Sequence, residues 1–276
     1  MPKIKELLNL KLDIDIKNVI DLEDNNEDEI RYEIENYIVT ENIGKHLSGF
    51  ASKFNSNIKE TGVWVSGFYG SGKSYFGKML GYLLANKSVA GTRAIDRFIP
   101  RLAGLKEASL IENDLLKFSN GNNRVILLDI AKQNTDKGLA FTLFRNFLKN
   151  LGFLDSVYGY LEYQLYLDGE YQAFEEKVKS ATGEDWQSLR KSEMKVPKTI
   201  RKVLIGWKYT IEEYEETIKH LNAIIESFSA TKLKDELIRY RGKHKDETII
   251  FIFDEASEAI SQQKFTLLDL EGLSEA

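Results

Sequence analysis

Three stretches of the chain are apolar without alternation: Val63-Trp64-Val65 within Gly62–Ser66, Val125–Leu128 within Arg124–Ile130, and Ile249–Phe253 within Thr248–Asp254. Continuous apolarity is the pattern of strands buried on both faces, as in a parallel sheet. Two other stretches alternate. Leu10, Leu12, Ile14 and Ile16 form one, and Ile30, Tyr32 and Ile34, then Tyr37 and Val39, form the other. They predict half-buried strands pairing as a hairpin across the acidic, Asn-rich loop Asp21–Glu29. Elsewhere helical spacing dominates. Thr40 is placed to cap a helix over Glu41–Phe54, with Ile43, Leu47, Phe50 and Phe54 on one face. Tyr75–Leu84, Lys106–Phe118 and Gly138–Leu151 follow as helices. Thr92 begins another, carrying Arg93, Arg97 and Arg101 as a stripe until Pro100 ends or bends it. The stripe reads as a solvated face, with phosphate contact as the sharper alternative.

Residues 152–247 show helical patterning almost throughout, including Ile211–Phe228 and Lys232–Tyr240. So long a connection between apolar strands reads as an insertion. It carries Tyr158, Tyr160, Tyr163, Tyr166 and Tyr171, and the cations Arg190, Lys191, Lys195, Lys198, Arg201, Lys202 and Lys208. Tyrosines among cations can stack on bases, but helix–helix packing explains them more simply, and partner docking is the better functional expectation. The expected organisation is an N-terminal hairpin and helix over 1–60, a nucleotide-binding core over 61–151, the helical insertion over 152–247, and the core's last strand and following helix over 248–276. The predicted fold class is α/β, a parallel sheet core with a large helical insertion and a small N-terminal α+β segment.

Composition narrows the chemistry. With 276 residues, 42% of them hydrophobic, the chain is long enough to bury a full core. A net charge of −5 removes the argument from a global basic field for nucleic acid. Cysteine is absent, and His46, His220 and His244 are scattered, so thiolate and imidazole metal sites are not expected. No run reaches membrane-spanning length and no apolar signal core opens the sequence, so a cytoplasmic location is expected.

Candidate chemistry centres on Gly67-Phe68-Tyr69-Gly70-Ser71-Gly72-Lys73-Ser74. The spacing G-x-x-x-x-G-K-S between a strand and a helix is that of a phosphate-binding loop, in which backbone N–H groups and a helix N-terminus face a polyphosphate. Gly67, Gly70 and Gly72 remove side chains where the backbone must approach oxygen or take positive φ. Gly70, Ser71, Gly72 and Tyr75 are expected to line the phosphates, Lys73 to reach the β- and γ-phosphates, and Ser74 to hold Mg²⁺. Asp254, ending the last apolar strand, would share that ion, and Glu255 is placed to activate a water as general base. Asp129 or Gln133, after the middle strand, could position the catalytic carboxylate or the water, with an ordinary turn as the equal alternative.

The words Gly62–Phe76 and Ile252–Glu258, with Tyr37-Ile38-Val39-Thr40-Glu41, resemble the P-loop ATPase family of BREX phage-defence systems, the BrxC/PglY-like proteins. The aromatic pair Phe68-Tyr69 and the flanking words are the specific part, since the Walker A and Walker B patterns are superfamily-wide. The resemblance implies an AAA+-like P-loop NTPase core, with ATP and Mg²⁺ as cofactors. It also implies catalytic roles for Glu255 and Lys73, and partners among other defence-complex subunits, with DNA reached through that complex and a homo-oligomer as further options. Family members are much longer, so the chain is expected to be an N-terminal fragment, with sensor, arginine finger and helical lid following Ala276. Hydrolysis by the fragment alone is then expected to be weak. A GTPase lacks support, because Asn86-Lys87-Ser88-Val89 has no acidic residue to read guanine. A small-molecule kinase fits the Asp-Glu pair less well than water attack does. A nucleotide-gated scaffold or STAND-like signalling module remains the alternative.

Overall fold

The computed structural model describes residues 26–56, 62–68 and 70–275. The first predicted strand, Leu10–Ile16, lies outside these residues. In chain order the first elements are α1 (Glu27–Asn36), α2 (Glu41–Asn55) and α3 (Lys73–Ala85). They are followed by the two-residue strands β1 (Ser88–Val89) and β2 (Thr92–Arg93), α4 (Ala94–Phe98), a 3-10 turn over Ile99–Leu102, and α5 (Ala108–Ser119). Then come β3 (Asn122–Asp129), α6 (Gly138–Asn150), α7 (Val157–Asp168), α8 (Tyr171–Thr182), α9 (Trp186–Leu189), α10 (Lys195–Leu204), α11 (Ile211–Glu226) and α12 (Ala230–Lys243). The series closes with β4 (Glu247–Asp254), α13 (Ala256–Ser261) and α14 (Leu267–Glu275).

The predicted α/β class, with an extended parallel sheet core, is overturned. The structure is 64% helical and, among the described residues, holds two two-stranded sheets. One is the antiparallel β1–β2 ribbon; the other is the parallel pair β3–β4, in register from Asn122↔Glu247 to Asp129↔Asp254. Gly62–Ser66 forms no strand. Val63, Trp64 and Val65 are 65, 58 and 46% exposed. Among the described residues β3 and β4 hydrogen-bond each other and no third strand, and a segment without a ladder partner satisfies its backbone in water instead.

Continuous apolarity was nevertheless the right signal at β3 and β4, because their alternate residues serve two separate cores. Val125, Leu127, Ile250 and Ile252 pack against the cluster of α1–α5, which contains Leu47, Met79, Leu83, Phe98 and Phe118. Ile126, Leu128, Ile249, Phe251 and Phe253 belong to the other, built from α6–α14 around Phe144, Phe147, Tyr160, Tyr163 and Trp186. The strand pair is the wall between two helical layers.

The predicted second N-terminal strand is also overturned: Glu27–Asn36 is helical. Ile30 and Ile34 are four apart as well as alternating, the Asn26 side chain accepts from the Asp28 N–H at 3.0 Å, and Glu27, Asp28 and Glu29 fill the first turn. A cap and acidic residues at the positive helix end favour the helix over the strand. The Thr40 cap is as predicted, its Oγ1 accepting from the Ile43 N–H at 3.3 Å. The arginine stripe is solvated at its ends, Arg93 and Arg101 being exposed and Arg97 half-buried, but it does not lie on one helix. Thr92 and Arg93 form β2, Arg93 pairs with Asp96, Arg97 pairs with Glu35 and donates to the carbonyls of Val89 and Ala90, and Arg101 donates to the Tyr37 carbonyl. Four of the five insertion tyrosines are structural. Tyr160 and Tyr163 bond Glu236, Tyr166 bonds His244, and Tyr171 bonds Glu162.

Candidate functional site

The loop ahead of α3 has the backbone its glycines predict. Gly70 and Gly72 have φ of +74° and +85°, which a side chain would strain. A Cβ on Gly67 would stand 2.8 Å from Ser71 Oγ. The Phe68 carbonyl accepts from the Ser71 N–H at 3.1 Å and from Lys73 Nζ at 3.0 Å, so the lysine is folded back over its own loop. Gly72 gives α3 no side-chain cap, and the ladder begins with the Phe76 N–H on the Gly72 carbonyl. The first-turn N–H groups of Lys73, Ser74 and Tyr75 therefore have no intrahelical acceptor, at the positive end of a helix.

Two glycines seat this helix on the strand pair. A Cβ on Gly77 would lie 3.7 Å from Ile252, and one on Gly81 only 2.7 Å from Leu127. α3 thus runs close across β3 and β4, with its N-terminus toward their carboxyl ends. Asp129 and Asp254 are paired there, and the Ile130 N–H donates to the Asp254 carbonyl at 3.2 Å. Glu255 takes a left-handed φ of 56°, unusual for a residue with a side chain, and turns the chain sharply into α13.

The electrostatics of Glu255 register the convergence. Partial burial raises its carboxyl above the ordinary glutamate range, Asp254, Glu258 and Asp129 push the same way, and Lys73 opposes them. Groups far apart in sequence therefore share one field. Lys73 and Asp254 thus both lie within electrostatic reach of Glu255, and Ser74 follows Lys73 in the first turn of α3. Tyr75 departs from expectation, since its side chain turns away to donate to the Glu33 carbonyl at 2.8 Å and meets Tyr37 edge-on. Only its backbone N–H remains for a ligand.

Sequence reading missed two supports. Lys264 Nζ donates to the carbonyls of Ala131 and Gln133, tying the exit of β3 to the end of α13. Glu33 holds α3 from behind through Lys78, Tyr82 and Tyr75. The spacing Tyr75-Lys78-Tyr82 on one helix face was the available signal for the second.

Among the described residues no group of three or more His, Cys, Asp or Glu side chains could hold a metal ion. Ser74 and Asp254 offer hard oxygen ligands, which suit Mg²⁺ when phosphates and water complete its shell. No family model and no solved structure matches the chain.

Proposed function

We propose that the chain binds Mg-ATP through Gly67–Ser74 and hydrolyses it slowly with Glu255 as general base, within a multi-subunit bacterial defence assembly of the BREX type. The observation that supports this most is the seating of α3, which begins at Lys73, across β3 and β4 at the ends that carry Asp129, Asp254 and Glu255. Uncapped N–H groups suit phosphate oxygens, and Lys73 exchanges its Phe68 carbonyl for them. Mg²⁺, when bound at Ser74 and Asp254, neutralises phosphate charge. The raised carboxyl of Glu255 is tuned toward accepting a proton from water. The assembly context rests on the resemblance of the loop and strand-end words to that family. DNA reached through partner subunits belongs to the same reading.

Calorimetric titration with Mg-ATP tests binding, and steady-state phosphate release tests turnover. Wild type should bind, Lys73→Ala should lose binding, and Glu255→Gln should bind while losing turnover. Unchanged affinity in Lys73→Ala would overturn the assignment of the loop. Binding with no Glu255-dependent turnover would make the protein a nucleotide-gated scaffold instead.

A further inference from the structure

A second feature lies in the helical layer. α7, α10 and α11 enclose an open groove of about 350 Å³. Its apolar surface comes from Tyr158, Pro197 and Ile218, with the buried Tyr214 beneath. Tyr158 is the insertion tyrosine whose hydroxyl has no hydrogen bond among the described residues, and it faces this space. Burial lifts the Tyr214 phenol to about 12, so it stays protonated.

Charge is distributed unevenly around the groove. The segment Arg190–Lys208 carries seven cations (190, 191, 195, 198, 201, 202, 208) and one carboxylate, Glu193, in a chain of net charge −5. Arg190, Lys195, Arg201 and Lys208 are spent in ion pairs, and Lys202 donates to the Ala181 carbonyl. Lys198 has no ion-pair partner among the described residues, and neither does Lys219 on α11. Both line the groove, beside an exposed Arg201–Glu215 pair at 3.2 Å. Two ammonium groups that form no ion pair among the described residues thus flank an apolar cleft, with Glu215 on its rim held by Arg201.

We propose that this groove docks a segment of a partner protein that presents an apolar side chain flanked by carboxylates. The apolar surface accepts the anchor, Lys198 and Lys219 meet the carboxylates, and complementarity of this kind sets specificity and encounter rate. A nucleic-acid strand fits less well. A polyanion crossing the groove would run over Glu212, Glu213, Glu215 and Glu216 of α11, whereas a short acidic motif needs only the two lysines. None of these residues belongs to the nucleotide site, so the inference stands apart from that reading.

The test titrates the full chain against a fluorescein-labelled Asp-Glu-Leu-Glu-Asp peptide, followed by anisotropy. A Gln-Gln-Leu-Gln-Gln peptide and a labelled single-stranded oligonucleotide serve as comparison probes. The acidic peptide should bind, the glutamine peptide should bind at least tenfold more weakly, and added salt should weaken the acidic complex. Lys198→Glu with Lys219→Glu should cut affinity at least tenfold while leaving far-UV circular dichroism unchanged, both side chains being exposed. Ile218→Asp should do so independently. No binding by the acidic peptide, or equal binding by the lysine variant, overturns the proposal. Tighter binding of the oligonucleotide, lost in the same variant, overturns it in favour of nucleic acid.

Discussion

Loss of Glu33 should be felt well beyond its place on the short first helix. Its carboxylate lies 2.8 Å from Lys78 Nζ and accepts the Tyr82 hydroxyl at 2.9 Å. The Lys78 side chain is 2% exposed and that of Glu33 19%. Glu33→Ala leaves an ammonium buried without its counter-charge and deprives Tyr82 of its acceptor, so a cost of about 3–5 kcal/mol is expected. Lys78→Met should be milder, about 1–3 kcal/mol, because Glu33 keeps the Tyr82 hydroxyl and some contact with water. The double variant Glu33→Met with Lys78→Met should come close to wild type, since the desolvation cost of both charges disappears together. Urea denaturation followed by circular dichroism supplies the three values and their coupling energy. If Glu33→Ala fell within about 0.5 kcal/mol of wild type, the pair would be behaving as a surface ion pair, and α1 would not be what holds the loop helix from behind.

The two glycines of α3 should respond in opposite directions. Gly77→Ala meets Ile252 at ordinary contact distance and should stabilise by about 0.5–1 kcal/mol through helix propensity. Gly81→Ala must displace Leu127 and should destabilise by about 1 kcal/mol net of that gain; thermal melts of the pair check both signs. Trp64→Ala should change stability by less than about 1 kcal/mol, because the side chain is mostly exposed; a loss of about 3 kcal/mol in urea denaturation would show Trp64 to be buried. For Glu255, a folded pKa raised above the unfolded value means that ionisation costs the fold stability. Its contribution should therefore fall as pH rises from the ordinary glutamate range through the raised value, and Glu255→Gln should flatten that slope in melts taken across pH. The acid limb of ATP turnover should likewise lie above the ordinary glutamate range, and a limb at or below that range would remove Glu255 as base.

The sequence was most readable where one physical cause dominates. The glycines at 70 and 72 are required by their positive φ, and β3 and β4 by apolarity on both faces. Helices with a cap or a strong apolar stripe, such as Glu41–Asn55 and Gly138–Asn150, came within a residue or two. The failures share a different cause. Ile30, Tyr32 and Ile34 satisfy two periodicities at once, and the Asn26 cap with its acidic first turn decides between them. Gly62–Ser66 has strand composition, but a strand also needs a neighbour, and no local pattern tells whether one is present. Arg97 and Arg101 are spaced with Arg93 like one helix stripe, yet the partners of these two, Glu35, Val89 and Tyr37, come from other turns of chain. The same limit hides Lys264, which acts on carbonyls more than a hundred positions away.

The parallel pairing of β3 with β4 also bears on how the chain reaches its native state. Arg124 and Glu247, bonded across the ends of these strands, are 123 residues apart. Closing so long a loop is slow because its entropy is lost before any ladder bond returns it, and each doubling of length adds about 0.6 kcal/mol. The contacts among α6–α12 are far more local, and their formation shortens the effective distance between the strands. The wall between the two layers is thus expected to form late, and the setting of the loop Gly67–Ser74 against both strand ends is expected to wait for β4 to arrive beside β3.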